Sequence, residues 1–122
     1  MAKRVLIADD EANIVASLEF LMERAGFEVK VAATGDQALA LAASFAPDLV
    51  LLDVMMPGKS GYDVCQRLKS DPASRAIKVI MLSAKGREVE MAKGIELGAD
   101  AYVTKPFSTR DLVAKVRELL GE

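Results

Sequence analysis

Asp9-Asp10-Glu11, Asp53, Ser83 and Lys105 each stand at the C-terminal side of a short apolar run. Val5-Leu6-Ile7-Ala8 leads into the acidic trio, Leu49-Val50-Leu51-Leu52 into Asp53, Val79-Ile80-Met81-Leu82 into Ser83, and Ala101-Tyr102-Val103 into Thr104-Lys105-Pro106. If these runs are strands of one open α/β sheet, the polar residues converge on its carboxyl edge, where such sheets bind ligands. Two carboxylates about 4 Å apart repel by roughly 4 kcal/mol at an effective dielectric of 20. Three or more must shift their pKa values or hold a cation between them. A lone lysine offsets one charge. A hard divalent cation offsets more, and Mg²⁺ takes one or two carboxylates while keeping waters and phosphate oxygens. Metal, ammonium and hydroxyl are together the partners that the oxygens of a phosphoryl group need. Asp53 is the candidate nucleophile, because a carboxylate is ionised at pH 7, needs no general base and can form an aspartyl phosphate.

Composition narrows the chemistry further. The chain has 122 residues with 16 Lys+Arg, 18 Asp+Glu, one Cys and no His. Without histidine, Ser-His-Asp and Cys-His triads, HExxH zinc sites and imidazole bases are impossible. One cysteine excludes CxxC redox chemistry, zinc ribbons and an internal disulfide. The net charge of −2, with scattered basic residues, gives no electrostatic footprint for nucleic acid. The first apolar run meets Asp9-Asp10 too early for a secretory signal. The longest uncharged stretch, Gln37 to Pro47, falls far short of the ~18 apolar residues a membrane span needs. A cytoplasmic location is expected, with no membrane or nucleic-acid partner.

The elements that must position these residues are also legible. Besides the four runs above, Val29-Lys30-Val31 reads as a strand. Three of the five runs are apolar at every position, as strands of a parallel sheet buried on both faces are. Segments of period near 3.6 lie between them: Ile14, Leu18, Leu21 and Ala25 share one helix face, and Leu112, Val116, Leu119 and Leu120 another. Thr34-Gly35-Asp36-Gln37 and Ser108-Thr109-Arg110-Asp111 read as capping boxes. Gly26 and Gly98 read as helix C-caps, and Pro57-Gly58 and Asp71-Pro72 mark loops. At ~150 residues per domain the length predicts one domain, and the β-α alternation makes it α/β, a doubly wound parallel sheet.

Taken together, Val5-Leu6-Ile7-Ala8-Asp9-Asp10-Glu11, Pro47-Asp48-Leu49-Val50-Leu51-Leu52-Asp53-Val54-Met55-Met56-Pro57-Gly58, Val79-Ile80-Met81-Leu82-Ser83-Ala84 and Gly98-Ala99-Asp100-Ala101-Tyr102-Val103-Thr104-Lys105-Pro106-Phe107 resemble the receiver domain of bacterial two-component response regulators. The spacing matches across essentially the whole chain, which the resemblance makes a single receiver domain over residues 1–122. It implies a flavodoxin-like five-stranded sheet of order 2-1-3-4-5. It implies that Asp53 accepts the phosphoryl group and that Asp10 and Asp53 ligate Mg²⁺ directly. Asp9 would act through a metal-bound water, and the Met55 backbone carbonyl would complete the protein ligands. Ser83 and Lys105 would each hold a phosphoryl oxygen, with Lys105-Pro106 a cis peptide. Tyr102 would turn inward as Ser83 moves. The implied donor is a sensor histidine kinase or a histidine phosphotransfer protein. The implied output is a changed surface of the fourth helix, fifth strand and fifth helix, read by a downstream effector. The only catalysis implied is self-phosphorylation and slow self-dephosphorylation.

Some positions vary on the family pattern. Ser83 stands where Thr is commoner and keeps the hydroxyl. Met55 and Lys85, at the two positions that tune dephosphorylation, offer no polar pair to orient water, so slow hydrolysis is expected. Ala101 stands where dimerising receivers are often acidic, which points to a monomer or weak dimer. Cys65 reads as a buried packing thiol, the six methionines as core filling with Met55-Met56 partly shielding Asp53, and Asp36, Asp63, Asp71 and Asp111 as surface or capping acids. Other functions fit less well. A haloacid-dehalogenase-type phosphatase needs an acid two residues after its nucleophile, where this chain has Met55. A flavodoxin-like carrier needs a phosphate cradle where Asp9-Asp10-Glu11 would repel one. A receiver acting by binding alone has no need of the intact acidic site.

Overall fold

The computed structural model describes residues 2–84 and 88–122. Strands and helices alternate: β1 (Arg4–Ala8), α1 (Ala12–Arg24), β2 (Glu28–Ala32), α2 (Gly35–Ser44), β3 (Leu49–Asp53), α3 (Gly61–Ser70), β4 (Lys78–Ala84), α4 (Glu88–Glu96), β5 (Ala101–Lys105) and α5 (Thr109–Leu120). All strand pairings are parallel, and the sheet order is β2-β1-β3-β4-β5. This is the doubly wound parallel sheet that the β-α alternation predicts, in the strand order that the resemblance implies.

Alternation along the strands divides the core in two. Val5, Ile7, Leu49, Leu51, Ile80 and Leu82 point to one face and pack with Leu18 and Met22 of α1 and Leu112 and Val116 of α5. Leu6, Ala8, Val50, Leu52, Val79 and Met81 point to the other and pack with Ala38 and Ala42 of α2 and Val64, Cys65 and Leu68 of α3. β1 and β3 lie in the middle of the sheet, which is why their runs carry no polar residue until the carboxyl end. At the edge, β2 exposes Glu28 and Lys30 and turns Val29 and Val31 toward the α1 layer.

Helix ends follow the sequence except in the returning half of the two expected capping boxes. Gly26 and Gly98 adopt left-handed φ values of 96° and 104° after α1 and α4. There the Phe27 N–H reaches the Met22 carbonyl and the Ala99 N–H the Gly94 carbonyl, as in Schellman motifs. Thr34 and Ser108 accept the N–H groups of Gln37 and Asp111. Yet Gln37 returns its side chain to the Ala33 N–H, not to Thr34. The full reciprocal box forms instead at Ser60 and Asp63, at the start of α3. Cys65 is fully buried in the α3 layer as a packing residue.

Candidate functional site

Three strand ends assemble the site. Asp9 follows β1, and its N–H extends the β1–β2 ladder by bonding the Ala32 carbonyl at 3.0 Å. Its carboxylate is pinned at both oxygens: Oδ1 accepts the Glu11 N–H at 3.0 Å and Oδ2 accepts the Lys105 ammonium at 3.0 Å. Asp53 is the last residue of β3 and is 5% exposed. Its Oδ1 accepts the Met55 N–H at 3.4 Å and lies 3.5 Å from Lys105 Nζ. Lys105 ends β5, and the Lys105-Pro106 peptide is cis, as the resemblance implies.

The loop after Asp53 is folded back tightly. The Gly61 N–H bonds the Val54 carbonyl at 2.9 Å. A side chain at Gly61 would collide with the Asp53 carbonyl oxygen, so only glycine lets α3 start this close to the end of β3. This requirement has no signal in the sequence beyond a glycine near a helix start.

Asp9, Asp10 and Asp53 place carboxylate oxygens within 4.8 Å of one another, with Asp9 and Asp53 buried and Asp10 exposed. Glu11 adds a fourth carboxylate, 3.5 Å from Lys105 Nζ. Among the described residues one ammonium serves this whole group. Burial, and then repulsion from Asp9, push the Asp53 carboxyl up from 3.8 to about 6, against the opposing pull of Lys105 and the Met55 N–H. Burial also works against the Lys105 ammonium. Its hydrogen bond to Asp9 and the charges of Asp53, Asp9 and Glu11 overcome that and hold its pKa above the ordinary lysine value. Oxygen-only donors, clustered, partly buried and short of positive charge, fit a hard divalent cation such as Mg²⁺.

The remaining sequence candidates take distinct places. Ser83 is buried near the end of β4, one residue beyond Leu82, the register partner of Asp53. Tyr102 lies on β5 opposite Met81, on the face covered by α2 and α3. Its ring stands beside Gly94 of α4, where a Cβ would meet ring carbons at 3.5 Å. It is therefore set between the sheet and α4, apart from the carboxylate cluster. Met55 is adjacent to Asp53 but 66% exposed, so it contributes to the lip of the site and not to core filling. Lys85 lies outside the described residues. Sequence reasoning gave Glu11 no separate role, although it is the third acid of the run after β1 and reaches Lys105.

A parallel sheet of order 2-1-3-4-5 with clustered aspartates and a lysine at its carboxyl edge defines a class, and the comparisons agree with it. The family model described as the response regulator receiver domain matches residues 5–117. Among solved structures, a CheY-like response regulator receiver domain protein from Methanospirillum hungatei JF-1 is 31% identical with a TM-score of 0.92, covering 99% of this chain and 95% of that one. The signal receiver domain of a signal transduction histidine kinase from Syntrophus aciditrophicus is 32% identical with a TM-score of 0.91, covering 98% and 91%. The BeF3-activated DrrB receiver domain is 34% identical with a TM-score of 0.89, covering 100% of both chains. The chain belongs to the response regulator receiver domain family. No helix among the described residues is long and apolar enough to cross a membrane.

Proposed function

We propose that residues 1–122 act as one phospho-acceptor switch, in which Asp53 receives a phosphoryl group from a phosphohistidine of a sensor histidine kinase or histidine phosphotransfer protein. The observation that carries this reading is the buried Asp53 carboxylate, set beside Lys105 and within 4.8 Å of Asp9 and Asp10. In the transfer an Asp53 carboxylate oxygen attacks phosphorus while the bond from phosphorus to the donor imidazole nitrogen breaks. The electron pair stays on that nitrogen, and the imidazole leaves. Asp53 needs no base, because no proton is removed from the nucleophile.

Asp10, Asp53 and the Met55 backbone carbonyl would hold Mg²⁺, with Asp9 acting through a water. The ion would supply positive charge to the phosphoryl oxygens and to the crowded carboxylates. Lys105 donates a charge-assisted hydrogen bond to one phosphoryl oxygen, and Ser83 donates its hydroxyl to another. The new group brings roughly −2 charge. Ser83 and Lys105 follow it, Tyr102 turns further inward from its place beside Gly94, and the surface of α4, β5 and α5 changes for a downstream effector. The exposed apolar side chain of Met55 cannot orient a water, which favours slow dephosphorylation and a long-lived signal. On this reading the chain catalyses nothing beyond its own phosphorylation and slow dephosphorylation. It works in the cytoplasm, as a monomer or weak dimer, without nucleic acid.

Mass spectrometry after incubation with acetyl phosphate and Mg²⁺ should find one phosphoryl adduct on Asp53, absent from Asp53→Asn. No adduct, or an adduct elsewhere that survives Asp53→Asn, removes the reading.

A further inference from the structure

A lysine ammonium has three N–H donors. Three carboxylates lie within ion-pair distance of Lys105 Nζ, Asp9 at 3.0 Å, Asp53 at 3.5 Å and Glu11 at 3.5 Å, and Asp9 and Glu11 accept hydrogen bonds from it. A phosphoryl oxygen that accepts from this ammonium competes with these carboxylates for its N–H donors. Asp9 is poorly suited to leave, because its side chain is fully buried and its other oxygen is fixed by the Glu11 N–H. Asp53 is the acceptor itself. Glu11 differs from both. Its side chain is 62% exposed, so a released carboxylate passes directly into water and no charge is stranded in the interior. Its backbone stays in place as the N-cap residue of α1 while the side chain swings.

Resting on the phospho-acceptor reading, we infer that Glu11 is a positioning residue that occupies, on Lys105, the place of a phosphoryl oxygen in the resting protein and is displaced when the phosphoryl group arrives. Glu11 thereby competes with the phosphodonor for the same N–H. Removing that competitor frees the ammonium before the donor binds. An exposed ion pair is a weak competitor, so the gain is about two- to fivefold.

The test compares wild-type protein with Glu11→Gln and Glu11→Asp. Glu11→Gln removes the charge, whereas Glu11→Asp keeps the charge on a side chain one methylene shorter that no longer spans the gap to Lys105. Beryllofluoride affinity in the presence of Mg²⁺, followed by ¹⁹F NMR, should rise about two- to fivefold in both variants. The acetyl phosphate concentration giving half-maximal phosphorylation should fall by the same factor, with the maximal rate unchanged. A merely structural role would move the melting temperature without this split. Wild-type affinity in both variants overturns the inference. So does a gain confined to Glu11→Gln, which assigns the effect to long-range repulsion, and so does weaker binding, which makes Glu11 a guide for Lys105. Wild-type protein that takes up neither probe overturns the phospho-acceptor reading and this inference together, whereas the variant outcomes against a competent wild type bear on Glu11 alone.

Discussion

The two ends of the sheet use the same residue types to opposite effect. At the amino end, Asp48 and Asp100 are matched. Asp48 accepts the Arg4 N–H at 2.8 Å. Asp100 accepts both the Lys69 ammonium and the Val79 N–H at 2.8 Å, and Lys69 also donates to the Ile77 carbonyl at 2.7 Å. These bonds tie α3, β4 and the turn before β5 together. At the carboxyl end, Asp9, Asp10, Glu11 and Asp53 crowd one ammonium among the described residues. Satisfied charges fasten elements. Unsatisfied ones leave an appetite for a cation and for a group that can engage Lys105, and the sheet holds them in place despite their repulsion.

The sharpest way to break this contrast is to neutralise one end at a time. The folded-state pKa of Asp53, about 6, lies above its unfolded value of 3.8. The folded state therefore binds the extra proton, and Asp53 favours folding least when it is ionised. Relative to the protonated form, stability is full below about pH 4 and is lost as pH rises through 6. At pH 7 without Mg²⁺, Asp53→Asn should stabilise the protein by up to about 3 kcal/mol. Urea unfolding should show that gain vanishing toward pH 4, and a destabilised Asp53→Asn at pH 7 contradicts the account.

The opposite sign is expected at the amino end. Asp100→Ala leaves the Lys69 ammonium and the Val79 N–H without their shared partner and should cost about 2 kcal/mol. An unchanged denaturation midpoint would mean that the amino end is no better satisfied than the carboxyl end. Mg²⁺ sharpens the comparison from the ligand side. At ten times its dissociation constant it should add about 1.4 kcal/mol to wild-type stability, with a much smaller effect on Asp53→Asn and full effect on Asp100→Ala. Calorimetric melting in Mg²⁺ and in chelator separates these cases.

The smallest effect belongs to the amino end's own exception. Ala46, in the turn from α2 to β3, has a left-handed φ of 51° without being glycine. That conformation costs a side-chain-bearing residue about 1–2 kcal/mol, and glycine's greater unfolded-state freedom returns about 0.5–1 kcal/mol of the gain. Ala46→Gly should therefore raise stability by about 0.5 kcal/mol and leave phosphorylation rates alone. A changed rate would show that the two ends are coupled.

What the sequence made legible was whatever a short-range pattern determines. The all-apolar runs of β1, β3 and β4 suit interior strands of a parallel sheet, and the first polar residue after each then emerges at one edge. That places Asp9, Asp10, Asp53 and Ser83 without any knowledge of side-chain contacts. Contacts between distant elements left no local pattern. Lys69 and Asp100 are 31 residues apart and Glu11 and Lys105 are 94 apart, so neither pair can be found by periodicity. Local competition also misled in small ways. Gln37 found the Ala33 N–H in place of Thr34, and the reciprocal box went to Ser60 and Asp63, whose spacing was equally available. Met55 reads as a core former by type, yet the tight turn that brings Gly61 against β3 leaves it facing solvent.

The position of β5 at the edge of the sheet has a mechanical consequence. β1 and β3, which carry Asp9 and Asp53, are laddered on both sides, whereas β5 is laddered only to β4. The acids therefore sit on the stiff members of the sheet and the ammonium on the compliant one. On the proposed phospho-acceptor reading, a change in the balance of charge between them meets least resistance at β5, the strand that borders α4, and not in the middle of the core.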